Sequence, residues 1–135
     1  MSGIRVLLVD DEVSFTASME KVLSRRGFDV KVASDGPSAL VLIAGEQFEV
    51  IVLDVKMPGM DGGQVLEEIR SSYPDIPVIL LTGHYFSSDE ETSLKKGAYA
   101  YLLKPCPILD LVNLINAAAS DGKSAFSILT SFLAP

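Results

Sequence analysis

Only one cysteine, Cys106, occurs in 135 residues, so no internal disulfide can form; this fits a reducing compartment. Basic residues are also in short supply: 11 Lys and Arg face 18 Asp and Glu, for a formal net charge of -7. Nucleic-acid binding through phosphates needs clustered Lys and Arg, so that class is set aside in favour of a protein partner or a bound cation. No apolar run approaches the roughly 20 residues that span a bilayer, and no signal-peptide h-region follows a basic N-terminus. The expectation is a cytoplasmic protein with no membrane contact. Low-complexity tracts are lacking as well. What is present is 48% hydrophobic residues over a length that suggests one domain with a substantial core.

Strand-like and helix-like segments alternate five times. Ile4 to Val9 is nearly all apolar, and Phe15, Met19, Val22 and Leu23 then recur on one helical stripe that Gly27 closes. Phe28, Val30 and Val32 alternate with Asp29 and Lys31, the pattern of a strand with one wet face. Asp35-Gly36-Pro37 turns into a second helix, with Pro37 near its first position. Val50-Ile51-Val52-Leu53-Asp54 reads as a strand buried on both faces of a parallel sheet. Pro58-Gly59 forces a turn into a third helix, which Tyr73-Pro74 stops. A fourth strand runs from Ile76 to Leu81 and ends at Thr82-Gly83-His84. Capping-box spacings at Ser87/Glu90 and Ser88/Glu91 predict a short helix before Gly97. The fifth strand is Tyr99 to Leu103, and Ile108, Leu111, Val112, Ile115 and Ala119 describe a last helix. The fold class is therefore α/β, a doubly wound three-layer sandwich around a five-stranded parallel sheet. The order 2-1-3-4-5 puts the half-wet second strand on an edge and the apolar first, third and fourth strands inside.

In such sheets ligands bind where the strands end. Asp10 and Asp11 leave the first strand, Asp54 the third, Thr82 the fourth and Lys104 the fifth, so three carboxylates, a hydroxyl and an ammonium converge. Carboxylates this close repel unless a proton or a cation intervenes, and an all-oxygen donor set favours a hard divalent ion, Mg2+ before Ca2+. Lys104 and Thr82 offer a charge and a donor to further anionic oxygens. The implied guest is a phosphoryl group. Taken alone, Asp54 reads as a helix or turn cap and Tyr101 as a half-buried aromatic on an edge strand, and Lys104 could be an ordinary solvated charge.

Leu8-Val9-Asp10-Asp11-Glu12, Asp54 with Met57-Pro58-Gly59-Met60-Asp61-Gly62, Thr82-Gly83, and Gly97-Ala98 through Tyr101 to Lys104-Pro105 occur in order and at characteristic separations. With this set the chain resembles the receiver domain of two-component response regulators over residues 3 to 120, in the stand-alone, chemotaxis-regulator-like form. The resemblance implies a flavodoxin-like fold and a phosphoacceptor in a phosphorelay. Asp54 would take a phosphoryl group from the phosphohistidine of a sensor histidine kinase or phosphotransfer protein, and the domain would then present a switched surface to a downstream protein target. It implies Mg2+ bound by Asp11, Asp54 and the backbone carbonyl of Lys56, with Asp10 acting through water. Thr82 and Lys104 would hold the phosphoryl oxygens, Thr82 and Tyr101 would form the switch, and a cis peptide would precede Pro105. The chain would not be an enzyme, although it assists its own phosphorylation and dephosphorylation.

Two other readings stand beside it. A haloacid dehalogenase-like phosphohydrolase would need a second Asp two residues after its nucleophile at the end of the first strand, where this chain has Asp10-Asp11-Glu12-Val13. The other is a module of a larger kinase or transcription factor, or an unphosphorylated docking module. Cys106 stands where the family often has Phe and reads as a small buried hydrophobe. His84 reads as an exposed loop residue, while Lys56 is long enough to lie over the pocket. The receiver unit is expected over 1-120. Asp121-Gly122-Lys123-Ser124 reads as a break, followed by a tail (121-135) whose Phe126, Leu129, Phe132 and Leu133 fall at helical spacing.

Overall fold

The computed structural model describes residues 3-55, 62-83 and 97-123. The described elements are β1 (Arg5–Val9), α1 (Val13–Arg25), β2 (Asp29–Ala33), α2 (Gly36–Gly45), β3 (Val50–Asp54), α3 (Gly62–Ser72), β4 (Val78–Thr82), β5 (Ala100–Leu103) and α4 (Ile108–Lys123). All strand pairs are parallel, in the order β2-β1-β3-β4-β5. The expected doubly wound sandwich is therefore the observed fold. β2 lies on an edge with an alternating exposure pattern, whereas β3 and β4 are buried throughout, so the apolar periodicities of the sequence match the strand order.

Strand alternation divides the core into two layers. On one face Leu7, Ile51, Leu53 and Leu80 pack with Ala39 and Ile43 of α2 and with Val65, Leu66 and Ile69 of α3. On the other, Val6, Leu8, Val50, Val52, Ile79 and Leu81 pack with Leu23 of α1 and with Leu111, Ile115 and Ala118 of α4. Each layer removes apolar surface that a bare sheet would leave in water, at about 25 cal/mol per Å2.

Local chemistry fixes the helix ends. After α1, the N–H of Gly27 donates to Ser24 and that of Phe28 to Leu23, the paired bonds of a Schellman turn. Gly27 sits at φ +94°, where a side chain would be strained, and Leu23 and Phe28 share one core layer. At α2, the Asp35 carboxylate accepts from the Ser38 N–H at 2.7 Å, which holds its pKa below the ordinary value. α4 is described through Lys123, within the stretch Asp121-Gly122-Lys123-Ser124 that reads as a break. One interior glycine costs about 1 kcal/mol relative to alanine, too little to end a helix whose preceding turns are anchored in the core. The short helix expected before Gly97, His84, Lys56 with the turn after it, and the apolar tail from Phe126 onward lie outside the described residues.

Candidate functional site

β1, β3 and β5 each deliver a charged residue to the C-terminal edge of the sheet, and backbone bonds between neighbouring strands hold that edge in register. The Asp10 N–H donates to Ala33, that of Val55 to Leu81 and that of Lys104 to Thr82. Side-chain alternation then sorts the residues. Asp10, Asp54 and Lys104 continue the face of Leu8, Val52 and Leu102, which α1 and α4 cover. Thr82 continues the face of Val78 and Leu80, and Tyr101 packs against that same layer.

Asp10 begins the charged cluster. It is 1% exposed; its Oδ1 accepts from the backbone N–H of Glu12 at 2.9 Å, while its Oδ2 lies 2.5 Å from Lys104 Nζ. The first bond is a local side-chain turn that orients the start of α1. Glu12 is the N-cap residue of α1, but its side chain makes no capping bond and instead reaches Lys104 Nζ at 3.1 Å. Lys104 Nζ also lies 3.6 Å from Asp54 Oδ2 and 4.4 Å from the centroid of the Phe15 ring. Burial is the largest single influence on the Lys104 pKa and lowers it. Hydrogen bonds to Asp10 and Glu12, with the charges of Asp10 and Asp54, more than offset burial and leave the value raised.

Asp10, Glu12 and Asp54 each present an oxygen within 4.8 Å of the other two. Three carboxylates thus share one ammonium, and two of them are buried. Such a site carries surplus negative charge in a region of low solvent access, and a hard cation with oxygen ligands suits it. Lys104 and Pro105 are joined by a cis peptide bond, as expected.

The response regulator receiver domain model matches residues 6-116. This chain belongs to the response regulator receiver domain family. It is 34% identical over 135 residues to the response regulator MprA of Mycobacterium ulcerans, an alignment covering 96% of this chain and 58% of that protein. With MprA of Mycolicibacterium vanbaalenii the identity is 38% over 114 residues, covering 84% of this chain and 49% of the relative. The chain spans about half the length of the curated relatives it matches. Among solved structures, the CheY-like receiver domain protein of Methanospirillum hungatei superposes with a TM-score of 0.85 at 30% identity, over 92% of this chain and 99% of that one. The receiver domain of the Francisella response regulator 1452 gives 0.80 at 32% identity, over 87% and 98%.

Receiver domains are signalling phosphoacceptors of two-component systems and interact with histidine kinases or phosphotransfer proteins. In this receiver domain the residues read from sequence fall into two groups. Asp10, Asp54 and Lys104 meet directly. Thr82 and Tyr101 lie on the other face of the same edge, Thr82 fully buried and Tyr101 half-buried. Asp11 is half-buried and is not part of the carboxylate set, whose third member is Glu12. Lys56 lies outside the described residues. The sequence offers Glu12 as a partner for Lys56 but does not show it as a charge partner of Lys104, nor Phe15 as a ring beside that ammonium. Glu12 stands two residues after Asp10, and that spacing was the available signal; Phe15 read only as one member of an apolar stripe. Among the described residues no helix is long and apolar enough to cross a membrane.

Proposed function

We propose that Asp54 is the phosphoacceptor, receiving its phosphoryl group from the phosphohistidine of a sensor histidine kinase or phosphotransfer protein. The observation that carries this reading is the meeting of Asp54, Asp10 and Glu12 around the Lys104 ammonium at a strand-end edge. A carboxylate oxygen of Asp54 forms a bond to phosphorus as the bond to the histidine nitrogen breaks, and the imidazole leaves with that electron pair. The product is an acyl phosphate on Asp54. Such transfers pass through a loose transition state, in which positioning and charge neutralisation do most of the catalysis. Lys104 would neutralise phosphoryl oxygens, a role supported by its ammonium lying 3.6 Å from Asp54 Oδ2.

The all-oxygen donor set fits Mg2+, which when bound would add positive charge against the phosphoryl oxygens. Asp10, Glu12 and Asp54 offer the nearest oxygens in this structure. Asp11 and the Lys56 carbonyl are the ligands that family resemblance adds, with Asp10 then acting through water. Thr82, buried at the end of β4, would donate its hydroxyl to a phosphoryl oxygen. Tyr101 would respond in turn, so that the surface made by the helix expected before Gly97, β5 and α4 reports the state of Asp54 to a downstream protein. The same side chains would assist loss of the phosphoryl group to water. Residues 1-120 would form the receiver unit, with 121-135 as a tail; a cytoplasmic setting without nucleic acid or membrane partners accords with the acidic composition.

Phosphoramidate, whose P–N bond imitates phosphohistidine, provides the test. Intact mass should show one added phosphoryl group when Mg2+ is present and none when it is chelated. Equal uptake under both conditions would overturn the metal-assisted reading.

A further inference from the structure

We infer that Phe15 is a positioning residue for phosphoryl transfer, its ring holding the Lys104 ammonium beside Asp54; this rests on the proposed role of Lys104. The ammonium is enclosed by a short stretch of chain at the β1–α1 junction: Asp10 Oδ2 at 2.5 Å, Glu12 Oε1 at 3.1 Å and the Phe15 ring centroid at 4.4 Å. Asp54 Oδ2, at 3.6 Å, is the most distant of its three carboxylate oxygens. Two carboxylates of the junction therefore draw Lys104 away from the group it is to serve.

The ring acts differently from the carboxylates. An aromatic face attracts a cation through its quadrupole but accepts no strong directional hydrogen bond, so it steadies the ammonium without fixing which oxygens receive its protons. The Lys104 side chain is only 12% exposed, a setting in which this attraction is less diluted by water. Phe15 is itself held, since it packs against the core layer formed by Leu8, Leu23, Val52 and Leu111. A fixed ring lets Nζ turn from Asp10 and Glu12 toward new oxygens on Asp54 with little displacement. Without it, the ammonium would be held only by its carboxylates, nearest of them Asp10 and Glu12.

Phe15→Leu removes the ring and keeps an apolar side chain, and Phe15→Tyr restores the ring. Two readouts are compared in the same proteins. The first is the NMR shift of the Lys104 ε-methylene protons in unphosphorylated, Mg2+-free protein, which a ring face moves upfield. The second is the rate of Asp54 phosphorylation by acetyl phosphate. We expect an upfield shift in the native protein that is lost in Phe15→Leu and kept in Phe15→Tyr. The rate should fall roughly 3- to 30-fold in Phe15→Leu, the range that a cation–ring contact commands, and recover in Phe15→Tyr. Ordinary ε-methylene shifts in the native protein, or a native rate in Phe15→Leu, would overturn the proposal. Lys104→Ala separates the two levels: if it is phosphorylated at the native rate, the assigned role of Lys104 fails, whereas an impaired Lys104→Ala beside an unimpaired Phe15→Leu removes Phe15 alone.

Discussion

Both ends of β1 carry a cation, three carboxylates and an aromatic ring, yet they do different work. At the N-terminal end, Arg5 pairs with Glu46 at 2.6 Å and Asp29 at 3.2 Å, its backbone N–H donates to Glu49 at 3.2 Å, and its guanidinium lies 5.3 Å from the Phe48 ring centroid. At the C-terminal end, Lys104 faces Asp10, Glu12, Asp54 and Phe15. Water access separates the two. The Asp29 and Glu46 side chains are 46% and 31% exposed, so solvent screens their mutual repulsion. Those of Asp10 and Asp54 are 1% and 7% exposed, and one ammonium must serve both. The same inventory of charges therefore ties strands and loops together at one end and leaves a demand for further positive charge at the other.

The largest difference should follow from removing each cation in turn. Lys104→Ala should slow phosphorylation of Asp54 by about 100- to 1000-fold, the cost of deleting one preorganised charge-stabilising donor. Arg5→Ala should leave that rate unchanged and lower the thermal midpoint by a few degrees. A comparable loss of rate in Arg5→Ala, measured with acetyl phosphate, would erase the contrast.

Asp54→Asn sharpens it from the side of stability. Removing a negative charge from a buried cluster of three relieves repulsion, so calorimetry should show a midpoint raised by a few degrees while phosphoryl uptake is lost. Glu46→Gln should move the midpoint slightly downward, because its Arg5 contact is not opposed by crowded buried carboxylates. Opposite signs at the two ends are the expected outcome; a lowered midpoint in Asp54→Asn would contradict it.

A smaller effect concerns alkaline pH. The Lys104 pKa is raised by its carboxylates in the folded chain, so the stability this gives is complete below the ordinary value of 10.5 and is lost as pH rises through the higher folded value. Lys104→Met should remove that part of the alkaline loss and leave the profile through neutral pH flat with respect to this group. Asp35, at the α2 N-cap, has the reverse sign. Its lowered pKa contributes stability above 3.8 that is lost as pH falls through the folded value, and Asp35→Ala should reduce that acid-side slope without altering phosphorylation.

These two clusters also show how far the sequence could be read. The strand order follows from Val50 to Leu53 being apolar on both faces and from Asp29 and Lys31 wetting one face of β2, so the convergence of Asp10, Asp54, Thr82 and Lys104 on one edge was legible. Which face each side chain takes follows from its parity along the strand, and the division of Thr82 and Tyr101 from Asp54 and Lys104 needed the observed strand bounds. Glu12 and Phe15 were harder, because their roles depend on where the first turn of α1 sits relative to Lys104, 92 positions from Glu12. The Arg5 cluster was invisible for the same reason, since Glu46 is 41 residues from Arg5 and reaches it only once α2 has packed. Asp121-Gly122 resembles a helix stop locally, and only the anchoring of α4 by Leu111, Ile115 and Ala118 shows why the helix continues.

The most direct test of the contrast is a single mass measurement made on three proteins: native, Asp54→Ala and Glu46→Ala, each incubated with acetyl phosphate and Mg2+. One phosphoryl group is expected on the native chain and on Glu46→Ala, and none on Asp54→Ala. Undiminished labelling of Asp54→Ala would contradict it.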